Sequence, residues 1–220
     1  MSTTTLPETA QSMPRIGDTA PNFNANTTQG PLELHKWKGD HWAILFSHPA
    51  DFTPVSTTEL SEFARRAKEF EQRKTKLIGL SIDSVHSHLA WRENIKEKLG
   101  VTIGYPMIAD SDMRVARLYG MLHPGESATV TVRAVFIIDP KHTIRALVYY
   151  PLNTGRNLDE IVRLLDALQT ADTKGVACPV NWKPGEKVIV PPPKTEAEVL
   201  ERQGNQSYEK IDFYLMKRTV

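Results

Sequence analysis

Residues 43–70, AILFSHPADFTPVSTTELSEFARRAKEF, constrain this chain more than any other stretch, because they prescribe three backbone states in succession. Ala43-Ile44-Leu45-Phe46 is a short unbroken apolar run of the kind that forms a buried strand. His48-Pro49-Ala50-Asp51-Phe52 is a turn-forming loop. Thr53 then stands at a helix N-cap, and Pro54 takes the first helical position, where the N–H it lacks would have had no partner. Leu60, Phe63, Ala64, Ala67 and Phe70 recur at helical spacing and give that helix one apolar face. A strand thus runs through a tight loop to a helix N-terminus, whose free N–H groups and partial positive charge favour an anion. Position 56 lies at that end, and it is Ser56.

The rest of the chain repeats the alternation. Lys76 to Asp83 reads as a second buried strand, and 87–99 as a helix with Leu89, Ile95 and Leu99 inward. A short strand is expected over 105–110 and a short helix over 113–119. The β-rich runs 131–139 and 143–150 are separated only by Pro140-Lys141-His142, a gap that joins antiparallel neighbours. Leu158, Ile161, Val162, Leu165 and Leu168 then form a helical stripe with Asn157 as its cap. Leu32 to Trp37 is a weak element before a turn at Lys38-Gly39-Asp40.

Strands alternating with helices indicate an α/β fold with parallel pairs and helical crossovers. Residues 1–14 carry no apolar periodicity and read as a mobile tail. The main domain is expected over 15–171. Beyond it, 172–220 is punctuated by Pro179, Pro184 and Pro191 to Pro193, and is too small to hold a core alone, so it should lean on a neighbour.

A net charge of +1 provides no basic field for nucleic acid. No apolar run is long enough to cross a bilayer, and the first 15 residues lack a basic start followed by an apolar core. The only cysteine, Cys178, has no internal partner, which agrees with a reducing compartment, and the expected location is cytoplasmic. His35, His41, His86, His88, His123 and His142 show no metal-ligand spacing, so neither metal nor cofactor is expected.

His48-Pro49-Ala50-Asp51-Phe52-Thr53-Pro54-Val55-Ser56-Thr57-Thr58-Glu59-Leu60 resembles the active-site loop of the peroxiredoxins, in particular the 1-Cys type, with Ser56 where that family has its peroxidatic cysteine. The likeness extends from about Pro14 to near Tyr214. It includes the opening Gly17-Asp18-Thr19-Ala20-Pro21-Asn22-Phe23 and the late Val180-Asn181-Trp182-Lys183-Pro184-Gly185. The resemblance implies a thioredoxin-like fold with a small extended C-terminal domain that packs across a homodimer, a higher-order ring being left open. It implies a peroxide substrate, an external thiol reductant and attack of a thiolate on the O–O bond.

The resemblance also assigns candidate roles. Arg133 stands where the family carries its active-site arginine and, being a charge lodged in an apolar strand, needs a partner. Arg156 matches a second arginine, or is a solvated loop residue. Thr53 could hydrogen-bond the peroxide as well as cap the helix. Pro49 would shield the nucleophile, or only shape the loop. Glu59 would fix the loop through an arginine, or close a capping box with Ser56. His48 could bind water or orient a ligand, or be a satisfied structural residue. Cys178 could resolve a sulfenic acid, or be a small half-buried residue.

A serine hydroxyl ionises far above a thiol and is not oxidised by peroxide, so this pocket should not turn over. Since Pro49, Thr53, Glu59 and Arg133 are all present, the chain reads as an active-site mutant of a working peroxidase, with a naturally inactive paralogue as the alternative. Two rivals stand beside it. A serine hydrolase would need a Gly-x-Ser-x-Gly elbow, and neither Ser56 nor Ser47 lies in one. The stretch Gly39-Asp40-His41-Trp42-Ala43 lacks the lipase-like motif that some relatives carry, so phospholipase activity is not implied. A redox-inactive binding or chaperone-like oligomer on the same scaffold is the second rival.

Overall fold

The computed structural model describes residues 13–220, which divide into two compact units, the first ending at Arg156 and the second running over Asn157–Val220. The expected tail at 1–14 lies almost entirely outside the described residues.

The first unit is built on a seven-stranded sheet. In chain order its elements are β1 (Asn24–Thr27), β2 (Gly30–Glu33), α1 (Leu34–Lys38), β3 (Trp42–Ser47), α2 (Pro54–Arg65), α3 (Ala67–Gln72), β4 (Thr75–Ser81), α4 (Val85–Leu99), β5 (Met107–Ala109), α5 (Arg114–Leu118), β6 (Arg133–Ile138) and β7 (Ile144–Tyr150). The strand order is β2-β1-β5-β4-β3-β6-β7. The β3–β4 and β4–β5 pairs are parallel, each joined by helical crossovers, whereas β6 and β7 form the expected antiparallel hairpin. All six residues of β3 are buried, as its unbroken apolar run requires of a strand covered on both faces. Ala43 and Leu45 join a core cluster with Ile78, Ala134, Phe136 and Tyr119. Phe46 points the other way, stacking on Phe63 of α2 at 4.1 Å between ring centroids.

The structure corrects several local expectations. In α4 the inward residues are His88, Trp91 and Ile95, while Leu89 and Leu99 are 43% and 46% exposed. Ile95 is inward as expected, and His88 and Trp91 complete the buried face in place of Leu89 and Leu99. The apolar face read as one helix over 54–70 is broken at Arg66, and Phe70 is buried from the separate α3. The weak element before Gly39 is a strand followed by a short helix, and β1 was not expected.

The second unit contains α6 (Leu158–Lys174), β8 (Val188–Ile189), α7 (Glu196–Gly204), β9 (Glu209–Asp212) and β10 (Leu215–Arg218). Asn157 caps α6 by accepting from the N–H groups of Asp159 and Glu160. Gly175 ends it at φ 61°, a left-handed conformation that glycine adopts without steric cost. Leu158, Ile161, Val162 and Leu165 are buried as the stripe predicts, and Leu168 is half-buried. The strands form a small antiparallel sheet ordered β8-β10-β9, and Val176, Trp182 and Val188 make a separate cluster.

Candidate active site

β3 and β6 lie side by side, Phe46 opposite Val135, so the loop leaving β3 starts beside the first residue of β6, which is Arg133. Ser47 fixes this junction: its hydroxyl donates to Val132 O at 2.6 Å and accepts from Ala134 N at 3.1 Å. The loop then enters α2, placing Ser56 in the first helical turn, fully buried.

Thr53 occupies the N-cap position but makes no side-chain cap bond to a backbone N–H, contrary to the capping role. Its hydroxyl lies 2.7 Å from both Ala50 O and Ser56 Oγ. A carbonyl can only accept, so Thr53 donates to Ala50 O and accepts the Ser56 proton, an assignment that follows from the network. Arg133 Nη1 donates to Ser56 Oγ from 3.1 Å. The hydroxyl of residue 56 therefore sits in a relay running from guanidinium to loop carbonyl.

Glu59 does not close a capping box with Ser56, because Ser56 lies within the helix rather than before it. One turn further along, Glu59 faces two arginines. It accepts from Arg133 Nη1 at 2.7 Å and from Arg156 through the backbone N at 2.7 Å, Nε at 2.8 Å and Nη2 at 2.7 Å. Arg156 also donates to Ser47 O and Ala134 O and lies over the rings of Phe46 and Phe63. At 7% exposure it is not a solvated loop residue, and Arg133, 2% exposed, is not a surface ion pair. Arg133 also donates to Leu152 O through Nε at 3.0 Å and Nη2 at 2.7 Å, which fixes the plane of its guanidinium.

Burial would raise the Glu59 carboxyl, but the charge and hydrogen bonds of Arg156, with Arg133 beside it, hold it below the usual carboxylate range. Burial lowers Arg133, yet a guanidinium keeps its proton throughout the working range. Two buried guanidiniums thus share one buried carboxylate, leaving one positive charge in excess next to position 56.

Pro49 is buried at the head of the loop. His48 is fully buried, and its Nε2 donates to Asp51 Oδ1 at 2.9 Å, so it is tied into the protein instead of facing solvent. Burial lowers its pKa and keeps the ring neutral. Asp51 also meets His88, a contact that sequence reading missed. Burial would raise the Asp51 carboxyl, but hydrogen bonds from His48 and His88 take it down to about 2. His48, Asp51 and His88 form a group able to hold a metal ion, their ligand atoms all within 4.8 Å of one another. Their closest contacts, 2.8 to 3.0 Å, are hydrogen-bond distances. Two ligands around a zinc ion would stand farther apart, at about 3.3 Å. The sequence signal for His88 was its place three residues before Trp91 on the buried face of α4.

Cys178 belongs to the second unit, half-buried, with Sγ 3.4 Å from Ala167 O, and burial pushes its thiol up. Among the described residues no helix is long and apolar enough to cross a membrane.

Residues 16–147 match the AhpC/TSA family, and residues 167–206 match the C-terminal domain of 1-Cys peroxiredoxin. A peroxiredoxin of Aquifex aeolicus (strain VF5) is 52% identical over 219 residues, covering 95% of this chain and 98% of the relative. Peroxiredoxin 2 of Caldanaerobacter subterraneus subsp. tengcongensis is 53% identical over 209 residues, 94% of each. Among solved structures, a yeast mitochondrial 1-Cys peroxiredoxin, studied for thiol resolution through glutathione and thioredoxin systems, superposes with a TM-score of 0.86 at 44% identity. It covers 94% of this chain and 100% of that one. A cysteine-to-serine mutant of peroxiredoxin 6 of Arenicola marina gives 0.84 at 40% identity, covering 93% and 97%. With a family match over more than half its length and curated relatives above 50% identity along nearly all of it, the chain belongs to the peroxiredoxin family, in its 1-Cys type.

Proposed function

We propose that this chain is the scaffold of a thiol-dependent peroxidase whose nucleophile position, residue 56, holds serine, so that the chain as given does not turn over. The observation that carries this reading is the charge count around Ser56. A fully buried neutral hydroxyl stands 3.1 Å from a guanidinium, in a cluster of two arginines and one glutamate that lacks one negative charge. A thiolate would supply that charge, and the first turn of α2 would stabilise it further. Among the described residues the partners of Ser56 Oγ, a guanidinium and a hydroxyl, include no base, which argues against a serine hydrolase.

With cysteine at 56, the thiolate attacks one oxygen of a hydroperoxide, forming an S–O bond as the O–O bond breaks. Sulfur is oxidised to the sulfenic acid, and the leaving oxygen takes a proton and departs as water or alcohol. Arg133 donates to the reacting oxygens, Thr53, whose own proton goes to Ala50 O, accepts from the peroxide O–H, Pro49 shields the nucleophile from water, and Glu59 with Arg156 holds Arg133 in place. An external thiol then condenses with the sulfenic acid, releasing water and giving a mixed disulfide that a second thiol reduces. Hydrogen peroxide and organic hydroperoxides are the substrates, no cofactor is called for, and the assembly is a homodimer. Cys178 is not needed as the resolving thiol. The presence of every other site residue supports reading Ser56 as a cysteine replacement in a working enzyme, as in the mutant of the Arenicola marina protein.

The test is peroxide consumption by Ser56→Cys beside the chain as given, each with excess dithiol. Fast turnover by the cysteine form and none by the serine form is the expected result. Inactivity of both, with both folded, would replace this reading by a redox-inactive scaffold.

A further inference from the structure

Next to the Ser56 pocket, the loop that delivers the nucleophile is fastened from outside. Its carboxylate, Asp51, faces His88 of α4, which is fully buried. His88 Nε2 lies 3.0 Å from Ile108 O, and a carbonyl only accepts, so this nitrogen carries a proton. The other nitrogen, Nδ1, faces both Asp51 oxygens, at 2.8 and 3.0 Å. A bare lone pair there would meet carboxylate lone pairs, so Nδ1 must carry a proton too.

Asp51 remains the anion of this cluster, since its carboxyl is held down to about 2. His48, the other titratable side chain against Asp51, donates through Nε2 and is neutral. Its Nδ1 is buried without a hydrogen-bond partner. Asp83 reaches the backbone of the same loop: its Oδ2 accepts from Asp51 N at 3.0 Å and from Ser81 Oγ at 2.6 Å. The loop needs such fastening, because the next residue, Phe52, is held at φ 55°, a left-handed conformation unfavourable for a side chain of that size.

We propose that His88, as a buried imidazolium, is a positioning residue for the peroxidase reaction, clamping Asp51 so that Thr53 and the residue at 56 are held in register for the peroxide. This rests on the peroxidase reading. It goes beyond that reading in assigning a role to a side chain on a different helix.

The first arm uses the chain as given: nitrogen-resolved NMR of the histidine rings, with His88 assigned by its loss in His88→Gln. Both His88 nitrogens are expected to carry a proton, one directed at Asp51 and one at Ile108 O. A neutral single tautomer, or displacement of the proton by stoichiometric zinc, would overturn the proposal.

The second arm places His88→Gln in the Ser56→Cys background and compares the second-order rates with hydrogen peroxide and with iodoacetamide. Alkylation needs only an accessible thiolate, whereas O–O cleavage needs the loop groups in place. The peroxide rate is therefore expected to fall about tenfold or more, and alkylation to change less than about threefold. Equal falls in both rates, or no fall in either, would overturn it. If His88→Gln does not fold, Asp83→Asn loosens the same loop from its backbone side and must produce the same split, in smaller measure. A Ser56→Cys parent that itself reacts slowly with peroxide would sink the function reading instead, with the NMR arm unaffected.

Discussion

Ser56→Cys places a thiol where Arg133 Nη1 stands 3.1 Å from the side-chain oxygen and where the fixed charges sum to one positive. Opposite unit charges about 4 Å apart attract by about 4 kcal/mol at an effective dielectric near 20. Thiolate burial opposes this, and Glu59, 2.7 Å from the same guanidinium nitrogen, competes for Arg133. Taking half the attraction leaves about 2 kcal/mol, which at about 1.4 kcal/mol per pH unit moves a thiol from about 8.5 to about 7. The helix terminus adds a few tenths of a kcal/mol in the same direction. The assay is a thiolate absorbance titration. The chain as given is its blank, because its only thiol is Cys178, which burial pushes up. Subtracting the blank leaves the titration of residue 56. A midpoint at or above about 8.5 would refute the charge count.

Three further outcomes follow from the same contacts. In the Ser56→Cys background, Arg133→Gln should return the thiol to about 8.5 or higher and slow the peroxide reaction about a hundredfold in stopped flow at fixed pH. In the chain as given, Glu59→Gln leaves two buried guanidiniums without their anion and should cost about 3 to 5 kcal/mol in urea unfolding; a loss below about 1 would contradict the pairing. Asp51 has its folded pKa depressed to about 2, so its contribution is full above the ordinary carboxylate range and is lost as pH falls toward that value. Asp51→Asn should therefore flatten the stability profile between about pH 4 and 2 by about 2 kcal/mol, after allowing for the loss of its histidine contacts at every pH.

Local pattern revealed much of this fold. The apolar run of β3, the short gap of the β6–β7 hairpin and the capped stripe of α6 each state their conformation within a few residues. What was not legible lacks such a pattern. β9, Glu-Lys-Ile-Asp, is exposed at every position, and β1 is mostly polar, so neither shows the alternation of a half-buried strand. In α4 the scale of apolarity favoured Leu89 and Leu99; His88 shares a helix face with Trp91, but its partners Asp51 and Ile108 O come from elsewhere in the fold and leave no local signal. The site divides in the same way. Ser56, Thr53 and Pro49 stand together in one loop motif, but the convergence of Arg133 and Arg156 on Glu59 spans 74 and 97 residues, and no local signal reports it.

The same charge count that should acidify the thiol must also appear in stability, and this gives a second route to its size. A thiol whose folded pKa is depressed from about 8.5 to about 7 stabilises the fold fully above the higher value and loses that contribution as pH falls through the lower. Ser56 has no such dependence, since a serine hydroxyl stays neutral over the whole range. The difference in unfolding free energy between Ser56→Cys and the chain as given should therefore grow by about 2 kcal/mol between about pH 6 and 9. Cys178 is common to both proteins and cancels in the difference. A difference curve that stays flat across that window, beside a titration midpoint near 7, would break the thermodynamic cycle and place the titrating thiol somewhere other than the Arg133 pocket. Agreement of the two would leave one oxygen in place of one sulfur as the feature that separates this folded site from a reactive one, because the serine keeps the hydrogen-bond relay from Arg133 to Thr53 and lacks only the charge.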